Sequence, residues 1–186
     1  MRGTRKGLPA SLRRSARPAV ELDQALLDTW RTCNRVTVFL LENIPSELWS
    51  ETIPGNKRKT VRMIAGHIHN ARCMWQKMLG RKHGIRPAVS VDRRTVTRTQ
   101  LLRALNRSSE GIECLLKLGL EHGGKIPGFP RDVVHFLAYF VAHEGHHRGQ
   151  ILLVAKQLGY KLPWQTTAGV WIWSARSSEA LKKTRA

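Results

Sequence analysis

The sequence predicts an all-α protein, a four-helix bundle preceded by a disordered basic arm. Three observations carry this prediction. Four long segments repeat apolar residues at helical spacing. No segment alternates apolar and polar residues for long, so no sheet is expected. Proline and glycine mark the breaks between the segments. A chain of 186 residues suggests one domain, large enough to bury roughly 70% of its unfolded surface.

Residues 1–18 are rich in Arg, Ser and Pro and read as the disordered arm. They also look like a transit peptide in being basic and acid-free. The bundle is expected over residues 19–175. Its first helix spans residues 20–43, with Leu22, Leu26, Trp30, Val36 and Leu40 as the apolar stripe and Pro45 beyond its end. Pro45, Pro54 and Gly55 make residues 43–59 a loop. The second helix runs from Thr60, as N-cap, to Leu79, and Gly80 stops it. A basic loop reaches to about Arg94. The third helix starts near Thr97 or Thr99 and ends at Leu118, with Leu101, Leu105, Ile112 and Leu115 inside. The fourth begins after Pro130 and ends at Leu158, before Gly159. Residues 176–186 read as a frayed basic tail.

Composition narrows the function classes. No apolar run approaches the ~20 residues that span a membrane. Cys33, Cys73 and Cys114 are far apart and form no Cys-x-x-Cys pair, so a disulfide framework is not expected and a reducing cytoplasm fits best. All three read as small buried hydrophobes. The formal net charge is +19. Residues 57–107 alone hold fourteen basic residues against one acid, Asp92. Such a surface attracts polyanions non-specifically, but no zinc-finger spacing, aromatic RNA-binding strand or helix-turn-helix is evident.

The chemistry concentrates in Ala142-His143-Glu144-Gly145-His146-His147-Arg148-Gly149-Gln150-Ile151. His143 and His147 are four apart, so their Cβ atoms lie about 5–6 Å apart on one helix face. That spacing lets two imidazoles hold one metal ion. A third ligand is expected from another helix. The second helix offers His67 and His69, roughly 200° apart around the axis. His67 shares a face with Ile64, Ala71, Met74 and Met78; His69 shares one with Arg62, Cys73 and Gln76, which reads as the wetter side. His67 is therefore the better inward ligand. On the fourth helix Phe136, Phe140, His143, His147, Ile151 and Val154 form the inward stripe, leaving His146 beside the site or on the surface. His83, His122 and His135 read as ordinary, partly exposed histidines. The pentad 143–147 also matches the zinc-protease pattern H-E-x-x-H. No histidine follows His147 and the only later acid is Glu179, so a protease is disfavoured.

His146-His147-Arg148-Gly149-Gln150, with His143 before it and an earlier inward histidine, resembles the DinB-like superfamily. The likeness extends through TVRMIAGHIHNARCMW (residues 60–75) and residues 128–162. It implies a bundle of DinB-like topology holding a divalent metal through one histidine of the second helix and two of the fourth: His67, His143 and His147. Branches of that superfamily, named for DNA-damage-inducible proteins, include mycothiol- or bacillithiol-dependent S-transferases and a maleylpyruvate isomerase. Many members have no assigned activity. The expected cofactor is Zn or Ni, which three imidazoles do not separate strongly. The expected role is activation of a thiol or water for transfer to, or hydrolysis of, a small molecule, with a low-molecular-weight thiol as one candidate partner. Glu144 is a candidate proton shuttle, though its angle from His143 favours the surface. Arg148 and Gln150 are candidates for an anionic substrate group, or for interhelical hydrogen bonds. His146 and His69 are candidates for the surroundings of the metal. Trp164, Trp171 and Trp173 are expected to pack over the bundle end. A homodimer in the cytoplasm is expected. The competing class is a non-catalytic, metal-stabilised bundle that binds nucleic acid through its basic surface.

Overall fold

The computed structural model describes residues 20–184, and the basic arm lies outside them. The protein is all-α, with four long helices and two short ones: α1 (Leu22–Asn43), α2 (Val61–Trp75), α3 (Arg98–Glu121), α4 (Val133–Gln157), α5 (Trp164–Gly169) and α6 (Trp173–Thr184). α1 and α2 each pack against both α3 and α4, which makes a four-helix bundle.

Local chemistry sets the helix ends. The Thr60 hydroxyl accepts from the Met63 amide at 3.3 Å, as the N-cap of α2. Thr97 and Gln100 form a reciprocal capping box at the start of α3. The Asp132 carboxylate accepts from the His135 amide at 2.9 Å and starts α4. Gly159, at φ 79°, turns the chain out of α4. α2 does not continue regularly to Leu79. A π-helical turn, Gln76–Gly80, and a 3₁₀ turn, Arg81–His83, follow it.

Three expectations are corrected. A short antiparallel hairpin, β1 (Thr52–Ile53) with β2 (Asn56–Thr60), lies between α1 and α2. It is too short to give a readable alternation. The segment read as a frayed tail is helix as far as Thr184. It packs on α1, with the Arg176 guanidinium 3.8 Å from the Phe39 ring centroid and Glu179 bonded to Arg35 at 2.6 Å. The tryptophans do not close the bundle end together. Trp164 and Trp171 are exposed, and only Trp173 packs partly against the core.

The core forms two clusters. One joins Val36, Leu40, Ile64, Ile68, Leu101, Leu105 and Ile151. The other joins Trp30, Cys33, Ile112, Leu115, Phe136 and Phe140. Leu22, expected on the stripe of α1, stands outside both and is exposed. Cys33 and Cys73 are buried as expected, whereas Cys114 is exposed. Among the described residues no helix is long and apolar enough to cross a membrane.

Chain direction follows from the contacts. Trp75 meets Phe136 and Tyr139, while His67 meets His143 and His147, so α2 and α4 are antiparallel. His69 meets Ser108 and Gln76 lies against Gly111, so α2 and α3 run the same way. A return crossover must join two parallel neighbours. Residues 85–96 supply it, running back along α2. The Gln76 amide oxygen accepts from Ala88 N (2.9 Å), and His69 Nε2 donates to Val89 O (2.9 Å). Asn70 closes both backbone groups of Val91 at 2.9 Å each.

Candidate metal centre

The antiparallel pairing of α2 and α4 brings His67 opposite His143 and His147. One ring nitrogen from each lies within 4.8 Å of the other two. His67 Nε2 and His143 Nε2 are 3.3 Å apart, and the ring centroids are separated by 4.6–5.2 Å. The three histidines are positioned to bind a metal ion.

The donor set fits a divalent cation. His147 Nδ1 donates to Gln150 Oε1 at 2.9 Å, which leaves the Nε2 lone pair for the site. His143 stacks on Tyr139, with centroids 5.6 Å apart, and its Nδ1 is buried without a partner. Two Nε2 atoms 3.3 Å apart either share one proton or address one cation. Burial, the His147 ring, Arg93 and Lys59 lower the pKa of His67, in that order. Burial and the neighbouring His147 and His67 rings bring His143 down to about 4. Burial also lowers His147, against the Gln150 hydrogen bond. Neutral imidazoles are the form that ligates a metal.

Behind the histidines lies a polar network that the sequence reading placed wrongly. Glu144 is not on the surface but fully buried. Arg72 Nε and Nη2 donate to its two oxygens at 2.7 and 2.8 Å, and Thr37 Oγ1 donates at 2.6 Å. Both carboxylate oxygens are thus engaged, so proton shuttling gives way to a tie between α1, α2 and α4. Arg72 also donates to Asn34 Oδ1 and Leu105 O, and lies over the Trp30 ring. Arg148 is buried as well and donates to Thr37 Oγ1 at 2.8 Å. That bond ties α4 to α1, the interhelical alternative for this residue.

His69 is also corrected. It is fully buried, between Val89 O and Ser108 Oγ, and does not bond to the three histidines. His69, Cys73 and Gln76 of the face judged wetter are buried, whereas on the face of His67 Ile64 and Ala71 are buried but Met74 and Met78 are exposed. His67 therefore reaches its partners from the rim of the core. His146 is exposed, its ring 5.0 Å from His147. His135 is exposed and bonds Asp132. His83 and His122 are exposed. A cleft between α1, α3 and α6, lined by Arg31, Glu42, Glu113 and Cys114, holds none of the three histidines.

The network was not readable because its partners come from three helices. The Gln150 contact was readable, since residues three apart on a helix are neighbours.

Residues 128–178 match the model of the DinB family. The matched stretch contains His143 and His147 but not His67. No curated protein and no solved structure matches the chain.

Proposed function

We propose that the chain is a metal-dependent enzyme in which His67, His143 and His147 hold one divalent ion, Zn or Ni. The observation that carries this reading is the convergence of three imidazoles from two helices, one of them fixed in its tautomer by Gln150. A divalent ion on three neutral ligands keeps its full charge and an open position, which favours the deprotonated form of a thiol or water. Gln150 holds His147 in register, and Tyr139 holds the plane of His143 by stacking. The Arg72–Glu144–Thr37 network fixes α2 and α4 relative to each other behind the ligands. Transfer of a thiol to a small electrophile, or its hydrolysis, is the reaction class this arrangement serves.

Elemental analysis of the purified protein tests the reading. About one equivalent of metal is expected in wild type and in His146→Ala, and little in His67→Ala or His147→Ala. A wild-type protein that lacks metal and takes up none when offered zinc or nickel sinks it.

A further inference from the structure

The return crossover carries cationic side chains to the metal centre. Side chains of α2 and of the π-helical turn after it bond the crossover backbone in sequence: Gln76 to Ala88, His69 to Val89, Asn70 to Val91. The next contact along that line is Arg93 with Gly66, the residue before His67. A Cβ at Gly66 would lie 3.0 Å from Arg93 Cγ. The absence of a side chain there lets Arg93 lie across α2. Lys59, half-buried in β2 immediately before the Thr60 N-cap of α2, adds positive potential at both His67 and His147.

Neither the Lys59 nor the Arg93 side chain has a hydrogen bond or ion pair to another described residue. The chain neighbour Asp92 and the buried Glu144 have partners of their own. The Asp92 carboxylate accepts from Arg94 N and Thr95 Oγ1 at 2.9 and 3.0 Å. Glu144 is held by Arg72. Two cations beside three imidazoles, neither of them paired with a carboxylate among the described residues, form a place for negative charge to enter.

We propose that the metal centre takes a small anionic molecule, its carboxylate or phosphate group seated between Lys59 and Arg93. This rests on the reading that the three histidines hold a metal. The cations act on binding and orientation; they ligate nothing and transfer no proton.

The test uses zinc-loaded full-length protein and inorganic phosphate as probe, followed by calorimetry at fixed ionic strength. The site pair Lys59→Met/Arg93→Met is compared with a control pair, Arg103→Met/Arg107→Met. The latter two are exposed arginines of α3, distant in the chain from the site. Methionine keeps the aliphatic packing and removes the charge. Both pairs should retain metal stoichiometry. Phosphate binding should weaken on the order of tenfold or more in the site pair, the scale of a lost charged hydrogen bond, and change less than about twofold in the control. Equal weakening in both pairs overturns the proposal, because it reports only net charge. So does unchanged binding in the site pair, or no phosphate binding by metal-loaded wild type. A labelled single-stranded oligonucleotide that binds through Lys59 and Arg93 without competition from phosphate would also overturn it, in favour of a nucleic-acid face. Failure of wild type to load zinc defeats the metal reading instead, so the two failures are distinguishable.

Discussion

At His147 one hydrogen bond decides which nitrogen faces the other histidines. Gln150 Oε1 takes the Nδ1 proton at 2.9 Å. Replacing Gln150 by Leu frees the ring to change tautomer and rotate. Metal affinity should fall by about 10–100-fold, the usual scale for a residue that orients a ligand, as read by competition with a chelating dye. Unchanged affinity would show that His147 needs no such support. The buried pair Arg72–Glu144 makes a different demand. Arg72→Met strands a carboxylate that is fully buried and should cost about 3–5 kcal/mol in urea unfolding. Removing both charges, Arg72→Met with Glu144→Leu, should cost less than the single change. Additive losses would mean that the pair is not coupled.

Among the elements, α4 was the most legible. Of its inward stripe, Phe136, Phe140, His147, Ile151 and Val154 are buried as the spacing predicts, and His143 is partly buried. α2 was legible as a helix and misread in its facing. Its buried side mixes Ile64, Ala65 and Ile68 with polar groups, because His69, Arg72 and the following Gln76 each have partners on other elements, and hydropathy cannot register a partner. His67 nonetheless meets His143 and His147 from a face that is partly open. The α6 segment hid for a related reason: its anchor is a buried arginine on Phe39, which reads as a charged tail. The close approach of α2 and α3 gives a test at this scale. A Cβ at Gly111 would overlap the Gln76 amide, which is bonded at both ends to Ser108 O and Ala88 N. Gly111→Ala should destabilise the protein by about 1–3 kcal/mol despite alanine's better helix propensity. It should also speed hydrogen exchange at the Ala88 amide. A stabilised variant would show that Gln76 moves aside freely.

For the whole molecule, the three histidines couple stability to pH. Their pKa values are depressed in the folded protein, His143 to about 4. The unfolded chain takes up protons near pH 6.5, the folded one only lower. The unfolded state therefore binds more protons in between, and the metal-free protein should lose stability as pH falls below about 6.5. The contribution of His143 should level off below about 4. Thermal melts of chelator-treated wild type and His143→Gln compare the two slopes, the variant's being shallower. Parallel slopes would remove His143 as a cause.

Four-helix bundles whose neighbours all alternate in direction join them by tight turns. Here α2 and α3 run the same way, so the topology itself requires a long covering segment. That segment crosses the bundle surface along α2, reaching Gly66 beside His67, and is held by side-chain bonds to its backbone, at Ala88, Val89 and Val91. Bonds to backbone groups tolerate most changes of side chain along the segment. What the centre admits and how firmly the helices pack are then separable traits. Under the metal-centre proposal, changes of side chain along this crossover would alter what reaches the histidines while leaving the histidines and the buried charges untouched.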